Sequence, residues 1–253
     1  MSPYQRYVAL GDSQTEGVGD GDDSTGLRGW ADRLAEHLAD GHPSFQYANL
    51  AVRGRLAGEV RHEQLERALA LRPDIATVVA GVNDLLRPRF DAAEVAGHLE
   101  AMFAALTESG ARVATVTFPD ITRIIPLARP ARARIHDLND RIRAASARHG
   151  VAVAEIALHT AVADRRFWAE DRLHCSPLGH ALIASAVAHA LELPGSDDSW
   201  TRPPPPGIPP RTTVASEIGW AATFLGPWLG RRLRGQSSGD QRTAKRPSLS
   251  PIS

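Results

Sequence analysis

The sequence predicts an α/β fold in which helices cover both faces of a parallel β-sheet. Short apolar runs alternate along the chain with amphipathic segments, and the run 75–80 is apolar or β-branched at every position. A continuous run of this kind is typical of a strand buried on both faces. Alternating strands and helices are typical of right-handed crossovers in a parallel sheet. Together these observations predict a five-stranded parallel sheet.

Each element follows from its own local pattern. Apolar runs predict strands over 7–10, 45–52, 75–80, 113–118 and 151–156. Helical spacing of apolar residues predicts helices over 30–39, 59–71, 91–109, 131–149 and 177–193. Asp91 is a candidate N-cap, Gly110 and Gly150 are candidate stops, and Pro177 is a candidate first residue of the last helix.

Length and composition indicate one folded domain with a C-terminal extension. The chain has 253 residues, of which 43% are hydrophobic and 23% charged, and this composition excludes a wholly disordered protein. We predict a folded domain over 1–195 and a proline-rich linker over 196–215. An apolar, arginine-rich segment over 216–234 and a disordered tail over 235–253 are expected to follow.

The C-terminal segment has a distinctive charge and aromatic pattern. Residues 200–253 carry a net charge of +6, and the remainder of the chain carries −6. Trp220, Phe224 and Trp228 are spaced four apart, and Arg231 and Arg232 follow them. We expect this segment to dock on the acidic body or on a partner subunit, which would form a homodimer. Contact with an anionic membrane surface is the less favoured alternative.

Several classes of site and location are excluded by simple counts. The single cysteine, Cys175, excludes a disulfide framework and a cysteine-based metal site. The glycines at 17–21 fail the dinucleotide-binding pattern, and the histidines lack metal-ligand spacing. The acidic body and the lack of an aromatic platform argue against nucleic-acid binding. The N-terminal apolar run is too short for a signal peptide, so a cytoplasmic location is expected.

Polar residues follow the predicted strands at the edge of the sheet where ligands bind. Ser13 follows the first strand, Gly54 the second and Asn83 the third, while Asp171 and His174 come after the fifth. In open α/β sheets, ligands bind outside the carboxyl ends of the strands. We therefore expect these side chains to meet in one site.

This set contains the groups that acyl transfer requires. Ser13 supplies a hydroxyl on a tight turn, and His174 can act as its general base. Asp171 lies three residues before His174 and can orient the imidazole. The backbone N–H groups of Ser13 and Gly54 and the side-chain amide of Asn83 can stabilise an oxyanion.

The four segments resemble those of the GDSL-type, or SGNH, hydrolases. The matching blocks are Gly11-Asp12-Ser13, Asn49 to Gly54, Gly81-x-Asn83-Asp84 and Asp171-x-x-His174. The resemblance implies a flavodoxin-like three-layer α/β/α sandwich that needs neither a metal nor an organic cofactor. It also implies Ser13 as nucleophile, His174 as base and Asp171 as its orienting acid, with Ser13, Gly54 and Asn83 forming the oxyanion hole. The chain departs from the family pattern at Gln14, where leucine is usual, and at Cys175, where proline is common.

Other residues near these blocks have plainer interpretations. His180 lies within the last predicted helix and is expected to be structural, as is Cys175. Asp12 and Asp84 are expected to brace their turns. Trp168 precedes Asp171 by three residues and is a candidate for lining a substrate pocket.

The sequence therefore predicts serine-dependent hydrolysis of a carboxylic ester through an acyl-enzyme on Ser13. The expected substrate is a small-molecule or lipid-like ester. The same machinery would serve a carbohydrate O-deacetylase or a thioesterase, and these remain alternatives. A non-catalytic binding module is the alternative from a different class, and the intact set of nucleophile, base, acid and donors argues against it. Activity should fall at acid pH, because a triad histidine must be neutral to accept a proton.

Overall fold

The centre of the protein is a six-stranded sheet. It is seen in a computed structural model that describes residues 4–203, 207, 213–227, 230, 234 and 237–252. The strands are β1 (Arg6–Gly11), β2 (Gly21–Asp22), β3 (Gly26–Leu27), β4 (Gln46–Asn49), β5 (Ile75–Val79), β6 (Arg112–Val116), β7 (Ala152–Ala154) and β8 (Arg246–Pro251). The spatial order of the main sheet is β7-β6-β5-β1-β4-β8, and β2 pairs with β3 in a separate hairpin.

Helices cover this sheet in two groups. The helices are α1 (Ser13–Glu16), α2 (Trp30–Ala39), α3 (Ala57–Ala70), α4 (Val82–Leu85), α5 (Ala92–Glu108), α6 (Arg132–His149), α7 (Pro177–Ala190) and α8 (Val214–Trp220). α2 packs against α7, while α5 packs against both α3 and α6. This arrangement is the predicted α/β fold, with helical layers flanking a central sheet.

The strand order is that of a flavodoxin-like sheet. The five predicted strands are confirmed as β1, β4, β5, β6 and β7, and all of their pairings are parallel. In chain order these five lie 2-1-3-4-5, so the direction of winding reverses between β1 and β5. β1 is therefore central, and its residues Tyr7 to Leu10 are fully buried.

The predicted helix ends are also found. The Asp91 carboxylate accepts hydrogen bonds from the backbone N–H groups of Ala93 and Glu94 at the start of α5. Gly150 ends α6 with a left-handed φ of 64°. Pro177 is the first residue of α7.

The predicted disorder of the tail is wrong for residues 246–251, which form β8. This strand pairs antiparallel with β4, so β4 is not an edge strand. Leu249 and Ile252 pack against the core, and the Arg246 guanidinium lies 5.3 Å from the centre of the Tyr47 ring. The prolines at 247 and 251 are compatible with an edge strand, which needs no donor on its outer side. The polar composition of residues 246–251 therefore did not indicate a strand, because β8 is stabilised by its pairing with β4.

The linker and the segment after it are described in part. A 3-10 turn spans Asp198–Thr201, where the Trp200 indole N–H donates to Nδ1 of His189. Residues 204–206 and 208–212 of the predicted proline-rich linker lie outside the described residues, as do Trp228, Arg231 and Arg232. In the described part of the chain, no helix is long and apolar enough to cross a membrane.

Candidate active site

The nucleophile turn is shaped by the close packing around Gly11. A Cβ atom at Gly11 would lie 2.4 Å from Oγ1 of Thr15 and 2.5 Å from the carbonyl oxygen of Val79, so only glycine fits here. The side chain of Gln64 holds this residue from both sides, since its Oε1 accepts from the Gly11 N–H and its Nε2 donates to the Gly11 carbonyl, both at 2.9 Å. The chain therefore turns sharply after β1 and places Ser13 at the start of α1.

Asp12 braces this turn, as the sequence predicts. Its Oδ1 accepts from the backbone N–H of Gln14 at 3.1 Å, and its Oδ2 accepts from Nδ2 of Asn83 at 3.2 Å. Burial raises the pKa of the Asp12 carboxyl to about 7. Asp12 thus connects the turn after β1 with the turn after β5.

The predicted acid and base are joined by a direct hydrogen bond. Oδ2 of Asp171 lies 2.5 Å from Nδ1 of His174, and Oδ1 accepts from the backbone N–H groups of Leu173 and His174, each at 3.0 Å. Burial favours the neutral form of Asp171, but the imidazole and the two N–H groups outweigh it and lower the pKa to about 2. The carboxylate is therefore ionised and fixed, and it orients the ring of His174.

Gln14 connects the nucleophile turn to the acid–base loop. Its Nε2 donates to the carbonyl of Leu173 at 2.8 Å, and its Oε1 accepts from the backbone N–H of Cys175 at 3.4 Å. The departure from the family pattern at this position therefore adds a polar brace between Ser13 and His174. Cys175 is buried, and burial raises the pKa of its thiol to about 12, in agreement with a packing role.

The loop that carries Gly54 is held by a network of charged groups. The Glu16 carboxylate accepts from the backbone N–H of Arg53 at 2.6 Å and pairs with its guanidinium at 2.7 Å. Asp84 accepts from the backbone N–H of Ala57 at 3.0 Å, which agrees with the predicted bracing role. Gly54 has a left-handed φ of 81°.

The amide of Asn83 lies between the two turns. Its Nδ2 donates to the carbonyl of Arg55 at 3.0 Å as well as to Asp12. Because both amide hydrogens have acceptors, donation to an oxyanion requires one of these bonds to be shared or exchanged.

A cleft of about 360 Å³ brings the predicted site residues together. Ser13, Gly54, Asn83, Asp171 and His174 all line it. The rest of its wall is mainly apolar, from Val18, Leu86, Ile121, Ile125, Ala128, Leu173, Trp220 and Phe224. Among the described residues, no group of three or more potential ligands could hold a metal ion.

Trp168 lies in a different place from the five catalytic candidates. It is buried, and its indole N–H donates to the carbonyl of Val162 at 2.8 Å. It lines an inner apolar cavity of about 80 Å³, which shares Leu86, Ile121 and Leu173 with the cleft. Its role in substrate binding stays a prediction.

The residues that position the site could not be predicted from the sequence. Gln64, Glu16 and Arg53 have no distinctive spacing relative to the four blocks, and they meet the site only through the packing of α3, α1 and the loop after β4. Trp220 and Phe224 were noted for their spacing, but nothing in the sequence placed them at the cleft.

A comparison with protein-family models shows the family of the chain. The GDSL-like Lipase/Acylhydrolase family model matches residues 9–182, which include all four blocks. The chain belongs to this family. No curated protein sequence matches the chain.

Several solved structures, among them hydrolases and esterases, have the same fold. LAE5, an alpha/beta hydrolase enzyme from the metagenome of Lake Arreo, is 21% identical, with a TM-score of 0.64 over 78% of this chain and 99% of its own. TesA is 20% identical, with a TM-score of 0.61 over 74% of this chain and 98% of its own. A catalytic mutant of Axe2, an acetylxylan esterase from Geobacillus stearothermophilus, is 16% identical. Its TM-score is 0.64 over 81% of this chain and 99% of its own. At these identities the likeness shows the fold.

Proposed function

We propose that this GDSL-family protein hydrolyses carboxylic esters through an acyl-enzyme on Ser13. The observation that carries the proposal is the hydrogen bond of 2.5 Å between Asp171 and His174, in a cleft that Ser13 also lines. Family membership and the fold of known esterases support hydrolysis as the reaction type. Variants of Axe2 with serine or histidine replaced by alanine are each described as catalytic mutants, which supports the same pair of roles here.

The proposed reaction has two steps. In the first, Nε2 of His174 takes the proton of Ser13 while Oγ attacks the ester carbonyl, and the alcohol then leaves with that proton. In the second, His174 takes a proton from the water that attacks the acyl carbonyl and returns it to Oγ of Ser13 as the bond between Oγ and the acyl group breaks and the carboxylic acid leaves. Asp171 holds the ring through Nδ1 and stabilises the imidazolium formed in each step. The backbone N–H groups of Ser13 and Gly54, with the Asn83 amide, stabilise the negative charge on the carbonyl oxygen.

The chemistry of the cleft favours an ester with an apolar group. Apolar side chains form most of its wall, and the Arg53 guanidinium is already paired with Glu16 and Asp23. A polyhydroxylated sugar would find few unpaired polar partners there, so O-deacetylation of carbohydrate ranks second. The cytoplasmic location expected from the sequence stays a prediction, which cell fractionation would test.

Covalent labelling with an alkyl fluorophosphonate tests the nucleophile. We expect one phosphonyl group per chain, located on the peptide containing Ser13, because the probe captures an activated serine hydroxyl. EstA from Pseudoalteromonas, which shares the fold, has been crystallised inhibited by monoethylphosphonate. The readout is intact mass followed by peptide mapping.

The control is Ser24→Ala, which removes an exposed hydroxyl outside the cleft and should label as the wild type does. Ser13→Ala should take up no label. A Ser13→Ala protein that labels as fast as the wild type would contradict the proposal, because another nucleophile would then react. A wild type that neither labels nor hydrolyses any ester would also contradict it and would favour a binding module.

A further inference from the structure

The C-terminal segment forms part of the cleft wall. Trp220 at the end of α8 and Phe224 in the following turn Ala221–Leu225 line the cleft together with Ser13 and His174. Both aromatic residues lie beyond residue 182, where the family model ends. This wall is therefore a feature of this chain rather than of the shared family core.

Arg172 anchors the segment to the acid–base loop. This residue lies between Asp171 and His174, and its guanidinium forms a two-point ion pair with the Glu217 carboxylate. The guanidinium also stacks on the indole of Trp220, with 4.5 Å between Cζ and the ring centre. The loop that orients the predicted base therefore also holds α8.

The polar atom of the Trp220 indole is already satisfied. Its N–H donates to the carbonyl of Asp171 at 3.2 Å. Apart from the contact with the Arg172 guanidinium, the ring surface is apolar, and Trp220 lines the cleft. Trp220 therefore offers a substrate an apolar surface close to the reacting groups.

A second contact joins the C-terminal extension to the loop that carries Gly54. A Cβ atom at Gly54 would lie 2.2 Å from Oγ of Ser237, and one at Gly239 would lie 1.9 Å from the carbonyl oxygen of Arg53. Ser238 itself lines the cleft. The C-terminal extension thus touches both the acid–base loop and the loop of the predicted oxyanion donor Gly54.

We propose that Trp220 and Phe224 are specificity-determining residues that bind an uncharged alkyl or aryl group of the ester. The inference rests on the proposed ester hydrolysis and adds the class of substrate. The charged groups at this wall are already paired, Arg172 with Glu217 and Arg53 with Glu16. An apolar group would gain burial against the two rings, while a charged group would lose hydration without finding a partner.

Two series of esters test this inference. The first varies the acyl group of p-nitrophenyl esters from acetate to hexanoate, and the second varies the alcohol of acetate esters from methyl to 2-naphthyl. For each enzyme, the ratio of kcat/KM for the larger ester to that for the smaller is measured. In Trp220→Ala we expect at least one of the two ratios to fall about tenfold, mainly through KM. Phe224→Ala should change the same ratio in the same direction.

Two variants control for general effects on the segment. Ile218→Ala removes an apolar side chain that is 66% exposed on the same helix, and it should keep both wild-type ratios. Trp220→Phe retains an aromatic ring and should restore most of the lost ratio.

The outcomes separate this inference from the proposed function. If the wild type hydrolyses esters through Ser13 but both ratios are unchanged in Trp220→Ala and Phe224→Ala, the specificity role is wrong and ester hydrolysis stands. A change of the same size in Ile218→Ala would also overturn the specificity role, because the effect would then belong to the helix as a whole. If the wild type hydrolyses no ester in either series, the proposed function itself fails.

Discussion

Two histidines near the cleft show how partners determine the role of a residue. His180 is fully buried, its Nδ1 accepts from the backbone N–H of Trp30 at 3.2 Å, and its Nε2 lies 3.1 Å from the carbonyl of Val18. These partners require a neutral ring protonated at Nε2. His174 instead has a carboxylate at Nδ1 and lines the cleft. Both residues follow the same strand in the sequence, but only His174 lines the cleft, and we propose only His174 for proton transfer.

The buried state of His180 predicts a pH dependence of stability. Burial lowers its pKa from 6.5 to about 4, so the unfolded chain binds a proton in this range that the folded chain does not. The His180 contribution to the free energy of unfolding should therefore fall by about 3 kcal/mol as the pH drops from about 6.5 to 4, while the raised pKa of Asp12 contributes with the opposite sign. Denaturant unfolding at pH 7 and pH 4 measures this difference.

The matched variants for this prediction are His180→Gln and His62→Gln. The free energy of unfolding at pH 7 minus that at pH 4 should be about 3 kcal/mol lower in His180→Gln than in the wild type, whatever the absolute stability of the variant. His62 is exposed on α3, so its substitution should keep the wild-type difference. An unchanged difference in His180→Gln would contradict the assignment of this effect to the buried ring.

At the scale of elements, some strands can be predicted from the sequence and others cannot. The five parallel strands are apolar because helices cover them on both faces, and their runs could be predicted directly. β8 has serines, prolines and an arginine, and its stability comes from pairing with β4 rather than from its own composition. The same limit applies to the wall formed by Trp220 and Phe224. Contacts between segments distant in sequence leave no local pattern.

The attachment of β8 depends on Lys245, the one lysine of the chain. Its Nζ lies 2.6 Å from Oδ2 of Asp32 and 3.0 Å from the carbonyl of Leu27, with both charged side chains less than one-fifth exposed. Lys245→Met would leave the Asp32 carboxylate without its charged partner. We expect the free energy of unfolding to fall by about 2 kcal/mol.

Arg202→Met is the control for this substitution. Arg202 and Asp198 are both about 70% exposed and lie 3.7 Å apart, so losing this pair should cost less than about 0.5 kcal/mol. Denaturant unfolding of the two variants compares them directly. Equal effects would show that the contact between Lys245 and Asp32 does not anchor the tail.

At the scale of the whole molecule, the opposite net charges of the C-terminal region and of the rest of the chain correspond to ion pairs between them. The basic C-terminal region meets the acidic body through the pairs Lys245–Asp32 and Arg242–Asp23. The sequence favours docking of this segment on the body or on a partner subunit over contact with an anionic surface. In the structure the extension docks on its own body, beside the predicted active site.

The candidate site could largely be predicted because its residues follow strands. Ser13, Gly54 and Asn83 were expected at one edge of the sheet, and the structure brings them to one cleft with Asp171 and His174. Their supports could not be predicted, since a buried glutamine such as Gln64 acts through packing rather than through a motif. The sequence therefore indicates which residues form the candidate site. The contacts that position them can be found only from the folded structure.

The most direct test of this account is the hydrolysis of p-nitrophenyl acetate and hexanoate by the wild type, Ser13→Ala and Ser24→Ala. We predict turnover by the wild type and by Ser24→Ala, and a kcat at least about 10³-fold lower in Ser13→Ala with the fold intact. Turnover by Ser13→Ala at the wild-type rate, or no turnover by the wild type on either ester, would contradict the central claim that Ser13 is the nucleophile of an ester hydrolase.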